Sequence, residues 1–142
     1  MHIDIWDPLP RSDFADMVNS SKGKILISGT HHDTRFMMRV LLEMWGYEVA
    51  EADGEEETVT MAESYMPNVI LVDTSRLFDE DIKVVSKLRI ANIPQLLPII
   101  VLSGFTQTKY QKAAMDHGAT SMLAKPLDLD RLESYLETAL PV

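Results

Sequence analysis

Three stretches of the chain are apolar at every position: Ile25-Leu26-Ile27, Val69-Ile70-Leu71-Val72 and Ile99-Ile100-Val101-Leu102. Runs this short and this continuous fit strands covered on both faces. Two further strand candidates lie near 47–51 and 120–124. The first of these, Tyr47-Glu48-Val49-Ala50-Glu51, alternates apolar and polar and reads as an edge strand. Between the runs, apolar positions recur at helical spacing. Helices are predicted near 33–45, 55–65, 80–91, 107–117 and 128–139. In the first, Phe36, Val40, Leu41 and Met44 predict the face turned to the core. In the third, Ile82, Val85, Leu88 and the stem of Arg89 do the same. In the last, Asp128 is the expected N-cap and Leu129, Leu132, Tyr135 and Leu136 the inner face. Gly46 and Gly118 supply helix stops, and Asn92 and Pro94 end the third helix. Strand and helix alternate with short loops. That predicts an α/β fold: a doubly wound, five-stranded parallel sheet with helices on both faces and right-handed crossovers.

Residues 1–23 break this rhythm. Pro8 and Pro10 interrupt early structure, and Asn19-Ser20-Ser21-Lys22-Gly23 reads as a linker. Between them, Ser12 can cap a short helix with Phe14, Met17 and Val18 on one side. The expected organisation is an N-terminal arm, 1–23, followed by a single domain, 24–142.

Composition narrows the function classes. The chain has 142 residues, enough for one domain with its own core, and 46% hydrophobic and 25% charged residues, as in ordinary globular proteins. No apolar run approaches the roughly 20 residues of a membrane span. Nor does Met1-His2-Ile3-Asp4 open as a secretory signal. Cysteine is absent, which removes disulfide and thiolate chemistry. A cytoplasmic location is expected. The net charge of −9 and scattered basic residues argue against direct nucleic-acid binding. Glu55-Glu56-Glu57 suits a solvated helix start.

Candidate chemistry gathers where the apolar runs end. Asp73 ends the third strand, Ser103 the fourth, and Lys125 precedes Pro126 just after the fifth. The carboxyl edge of a parallel sheet is where such folds build their sites. The first strand delivers Ser28-Gly29-Thr30 to that edge, with no carboxylate.

Four segments in this order resemble the receiver domain of two-component response regulators, the chemotaxis-type, flavodoxin-like fold. They are Gly46-Tyr47-Glu48-Val49 with Ala52-Asp53-Gly54-Glu55-Glu56, Pro67 to Asp73, Pro98 to Gly104, and Gly118-Ala119 through Ala124-Lys125-Pro126. The resemblance covers about residues 24–140. It implies that Asp73 is the phosphoacceptor position and Ser103 the hydroxyl that follows the phosphoryl group. It makes Lys125 the cation that holds a phosphoryl oxygen, with a cis bond to Pro126. It also implies a signalling module rather than an enzyme, with a histidine kinase, a phosphotransfer protein or a downstream effector as partner. A homodimer through the fourth helix, fifth strand and fifth helix is a further expectation.

The chain departs from the family at the metal site. Aligned through Arg35, the two acidic positions that bind Mg²⁺ in the family fall on Gly29 and Thr30. Mg²⁺ takes oxygen ligands and relies on carboxylates to offset its dehydration. Three carboxylates and a lysine sum to −2, which a divalent ion balances, whereas Asp73 and Lys125 alone sum to zero. A metal-free Asp73–Lys125 pair is therefore expected, with no cofactor, and Mg²⁺ only if the phospho-switch is retained. His31, His32 and Asp33 are the weak candidates for another metal, although adjacent side chains at a helix start rarely converge. After Asp73 the loop reads Thr74-Ser75-Arg76-Leu77-Phe78, so Arg76 or Phe78 is expected over the pocket. Met122 stands where an aromatic residue commonly follows the switch hydroxyl and reads as a packing or interface residue. The leading reading is a receiver with weak or lost Mg²⁺-dependent phosphorylation, acting through protein contacts. The alternative is a working Asp73 phospho-switch. More distant are an aspartyl phosphatase of the haloacid-dehalogenase type, which needs a second acid where Ser75 stands, and a flavodoxin-like anion binder using Ser28-Gly29-Thr30.

Overall fold

The computed structural model describes residues 21–140; the short helix expected from Ser12 through Val18 in the N-terminal arm lies outside the described residues. The five expected strands form one parallel sheet in the order β2-β1-β3-β4-β5. They are β1 (Lys24–Ser28), β2 (Glu48–Ala52), β3 (Val69–Asp73), β4 (Ile99–Ser103) and β5 (Ser121–Ala124). The helices are α1 (His32–Met44), α2 (Gly54–Tyr65), α3 (Phe78–Asp81), α4 (Lys83–Ile90), α5 (Thr108–His117) and α6 (Leu129–Ala139). The third predicted helix is thus two, α3 and α4, separated at Ile82.

The three continuous apolar runs occupy the three central strands, and every residue of β3 and β4 is buried. Their side chains alternate between two cores, as strand geometry demands. Leu26, Ile70, Val72, Ile99 and Val101 pack with residues of α2, α4 and α5. Ile25, Ile27, Leu71, Ile100 and Leu102 pack with Met38 and Leu42 of α1 and with Leu132 and Leu136 of α6. The alternating strand β2 lies at one edge and pairs only with β1, as its pattern predicts.

The inner face of α1 differs from the expected one. Its buried residues are Arg35, Met38 and Leu42, while Phe36, Val40 and Met44 point to solvent and Leu41 is half-buried. The helix carries two stripes at helical spacing, and the more apolar one faces outward. Arg35 is buried because it has partners. It donates to the Gly29 carbonyl through Nη1 and to Glu51 Oε1 through Nε at 3.3 Å, with Asp53 Oδ1 3.8 Å from Nη1. In α6, Asp128 caps the helix by accepting from the Arg131 amide at 3.1 Å, as expected. Leu132 and Leu136 are buried and Tyr135 is half-buried, but Leu129 in the first turn is exposed. Gly118 closes α5 with φ +112°, a conformation few other residues adopt.

The chain passes from β1 outward to β2 and then back across to β3. The sheet therefore reverses direction between β1 and β3, and the crevice at their carboxyl ends is where this architecture binds ligands. The Asp73 position pairs with Leu102, Ser28 with Val72, and Ser103 with Ala124. The register thus brings the three sequence-predicted polar groups to one sheet edge.

Candidate functional site

Asp73 ends the central strand with its side chain almost wholly enclosed. Its Oδ1 is buried and takes no hydrogen bond among the described residues. The compensation is ionic: Lys125 Nζ lies against Asp73 Oδ1. Lys125 Nζ also donates to the Thr74 carbonyl at 2.7 Å, and the Lys125 amide donates to the Ser103 carbonyl at 2.9 Å. The ammonium group is thereby fixed at both ends of its reach. The Lys125–Pro126 peptide bond is cis. Above the pair lies a cleft of about 750 Å³, lined by Thr30, His31, Thr74, Arg76, Leu77 and Phe105 among others.

Gly29 is buried against the acid. A Cβ placed on it would sit 3.2 Å from Asp73 Cβ and 3.4 Å from the Asp73 carbonyl. Its own carbonyl is held by Arg35, so the loop after β1 is packed down onto the aspartate. Thr30 is exposed at the cleft rim. Ser28 is turned away and buried beside Thr58, with the two hydroxyls 2.6 Å apart. Thr58 has one hydroxyl hydrogen, and it goes to the Gly54 carbonyl at 2.6 Å. Ser28 must therefore be the donor to Thr58.

On the far side of Asp73, a recess of about 180 Å³ is bordered by Gly29, Glu55, Glu80 and Asp81. These carboxylates are largely engaged. Asp81 Oδ2 accepts from both the amide and the hydroxyl of Ser75 at 2.7 Å, and Glu55 pairs with Lys87. His32 and Asp33 are exposed, with 3.9 Å between Nδ1 and Oδ1, and His31 lines the cleft. Among the described residues, no group of three or more His, Asp or Glu side chains is placed to hold a metal ion. Asp73 is the buried carboxylate among those around the recess, and it is already paired with an ammonium group.

Ser103 is fully buried and its hydroxyl serves its own loop. It accepts from the Phe105 amide at 2.9 Å and donates to the Phe105 carbonyl at 3.1 Å. Phe105 in turn stacks on Tyr110 with 4.8 Å between ring centroids, and Phe78 meets both rings edge-on at 6.4 and 5.0 Å. This aromatic group beside the site was not signalled by the motifs. Phe105 and Tyr110 lie five residues apart around the start of α5, but Phe78 comes from α3, and only the packing of α3 on the same core layer brings it to them. Of the two residues expected over the pocket, Arg76 lines the cleft, while Phe78 is buried in the core at the start of α3. Met122 is half-buried and packs against the same core layer as Phe105 and Tyr110. Arg35 was missed because a count of apolar positions discards a charged residue; Glu51 and Asp53 at the end of β2 were its available signal.

A five-stranded parallel sheet in this order, with an acid, a hydroxyl and a lysine on the carboxyl ends of successive strands, defines a receiver-type signalling domain. The model of the response regulator receiver domain matches residues 25–137, and the chain belongs to that family. It is a receiver module of two-component signal transduction. Among curated relatives, it is 29% identical over 121 residues to the transcriptional regulatory protein ZraR of Salmonella typhimurium, matching 84% of this chain and 27% of that protein. It is 30% identical over 117 residues to the transcriptional regulatory protein PdtaR of Mycobacterium tuberculosis, matching 82% of this chain and 56% of that protein. The chain thus spans about a quarter of the first relative and about half of the second. Among solved structures, the chemotaxis protein CheY4 of Vibrio cholerae superposes with a TM-score of 0.74 at 26% identity, covering 82% of this chain and 98% of that one. Receiver domains of this family are signalling modules that interact with kinases and effectors, and they bind Mg²⁺ when phospho-active. No helix among the described residues is long and apolar enough to cross a membrane.

Proposed function

We propose that this receiver acts as an interaction module whose pocket is set by the Asp73–Lys125 pair rather than by Mg²⁺-dependent phosphorylation of Asp73. The observation that carries the reading is the pair itself, in a site where Gly29 and Thr30 stand at the acidic positions. The residues present do not fit a divalent cation. Mg²⁺ needs several hard oxygen ligands in near-octahedral geometry. Here the buried carboxylate is already neutralised, and a Cβ at Gly29 would lie 3.2 Å from Asp73 Cβ, a contact that a side chain there meets by a shift of a few tenths of an ångström. A carboxylate contact at ~4 Å contributes about 4 kcal/mol at an effective dielectric near 20. Two such contacts are missing.

The same geometry bears on the switch. In a phospho-activated receiver the hydroxyl turns to the phosphoryl group. Here that turn would break both bonds between Ser103 and Phe105 and disturb a packed aromatic group. Output then comes from surfaces present in the resting fold. One such surface is the α5, β5 and α6 side, where β5 forms a sheet edge. Its partner is a signalling protein, a kinase, a phosphotransfer protein or an effector, or a second copy of the chain.

The test is a Mg²⁺ titration of the natural chain beside the Gly29→Asp/Thr30→Asp variant, followed by amide chemical shifts. The natural chain should show no saturable binding at millimolar Mg²⁺. The variant should bind at least about 100-fold more tightly, given two restored carboxylates. Equal and saturable binding by both chains would refute the reading.

A further inference from the structure

Asp73 divides two spaces of opposite charge. The recess of about 180 Å³ on one side is bordered by further carboxylates, Glu55, Glu80 and Asp81. The cleft of about 750 Å³ on the other carries Lys125 and Arg76, against Asp73 alone among the acids. In a chain of net charge −9, a cleft with more cations than carboxylates is a local reversal of sign, and a concave field of that kind draws anions.

The hydrogen-bond donors of the cleft are only partly used. An ammonium group carries three N–H bonds. Lys125 Nζ faces Asp73 with one and donates another to the Thr74 carbonyl, which leaves a third. Arg76 is exposed on the cleft wall and brings a planar guanidinium fork. The hydroxyls of Thr30 and Thr34 belong to the same lining. Those of Thr74 and Ser75 are already spent, on the Leu102 carbonyl and on Asp81, each at 2.7 Å. Two cations and several free donors suit a phosphate monoester, which carries close to two negative charges and three acceptor oxygens. The remaining wall is apolar. Leu77 is 65% exposed there, and Phe105 is half-buried. The volume falls within the ~300–1,000 Å³ of sites that hold small organic molecules, and a phosphoryl group alone would fill little of it.

We propose that this cleft binds a small organic phosphate monoester, with no metal ion and no transfer of the phosphoryl group. The phosphate rests on Lys125, Arg76, Thr30 and Thr34, and the organic body lies against Leu77 and Phe105. The inference rests on the metal-free reading of the pocket. Phe105 is also the residue held by both bonds to Ser103, so an occupant touches the loop that leads into α5. Occupancy of the cleft is then felt at the surface through which the domain meets its partners.

The experiment titrates the full chain with phenyl phosphate in EDTA and follows amide chemical shifts, with inorganic phosphate as the comparison. Phenyl phosphate should bind saturably, with shifts at Thr30, Thr34, Arg76, Leu77 and Phe105 that reverse on dialysis. Inorganic phosphate should bind at least about 10-fold more weakly, because it leaves the apolar wall bare. Arg76→Gln should weaken phenyl phosphate binding about 10-fold. Leu77→Ser should weaken phenyl phosphate binding and leave that of inorganic phosphate unchanged. Both positions are exposed, so the thermal midpoints should stay where they are. Asp73→Asn should bind at least as tightly as the natural chain, since a repelling carboxylate is gone. Loss of binding in Asp73→Asn would overturn the proposal, because it would mark transfer to the acid. So would the absence of saturable shifts in EDTA, equal affinity for the two anions, or an Arg76→Gln chain that binds like the natural one. Mg²⁺ alone separates this inference from the reading beneath it. A chain indifferent to both Mg²⁺ and phenyl phosphate refutes the organic phosphate only, whereas phenyl phosphate shifts that appear solely with Mg²⁺ refute both.

Discussion

Replacing Lys125 with Met should destabilise the domain more than replacing Lys125 and Asp73 together. The Asp73 side chain is 2% exposed and its Oδ1 has no hydrogen bond among the described residues, so the Lys125 charge is its main compensation. Breaking a buried pair by removing one partner costs about 3–5 kcal/mol, because the other charge is left uncompensated. Lys125 is less enclosed, at 31% side-chain exposure, so water takes over part of its role. The expected loss for Lys125→Met is therefore about 2–3 kcal/mol. Asp73→Asn removes the buried charge instead. Lys125 then keeps its bond to the Thr74 carbonyl and its access to water, and the loss should be under about 1 kcal/mol. The double variant Asp73→Asn/Lys125→Met should recover at least about 1 kcal/mol relative to Lys125→Met. Urea unfolding followed by far-UV circular dichroism measures all four chains. With a slope of about 1–3 kcal/mol per molar urea, Lys125→Met lowers the midpoint by roughly 0.7–3 M. Equal losses in Lys125→Met and the double variant would refute the pairing.

Two other outcomes follow from particular contacts. Gly118→Ala should destabilise by about 1–2 kcal/mol, because φ is +112° and the added Cβ would lie 2.6 Å from Arg89 Cγ; thermal unfolding measures it. The Tyr65 phenol is pushed well above its ordinary value of 10 by burial, by its 2.7 Å bond to Glu48 Oε2 and by the Glu48 charge. The unfolded chain therefore loses this proton first as pH rises, so stability should fall above about pH 10. That alkaline loss should be smaller in Tyr65→Phe when urea midpoints are compared from about pH 9 to 11.

The central strands were legible because burial on both faces leaves no room for polar positions: Ile25 to Ile27, Val69 to Val72 and Ile99 to Leu102 read as strands from their composition alone. The ends of the last two runs, with the residue after the fifth strand, also predicted Asp73, Ser103 and Lys125 at one edge, and the parallel register brings them there. The inner face of α1 was not legible in the same way. Phe36, Val40 and Met44 form a better apolar stripe than Arg35, Met38 and Leu42, and only the tertiary partners of Arg35 decide which stripe is buried. The break between α3 and α4 lacks a Gly or Pro to announce it. The bonds between Ser103 and Phe105 depend on a side-chain rotation, which leaves no trace in residue order.

The central claim is that the pocket is complete without Mg²⁺ and a phosphoryl group. The most direct measurement is an amide NMR spectrum in millimolar Mg²⁺, repeated after adding beryllofluoride as a phosphoryl mimic, with Asp73→Asn as the control. The account predicts a spectrum unchanged by either addition. Shifts that depend on Asp73 and spread through Ser103, Phe105 and α5 would contradict it and establish a working phospho-switch.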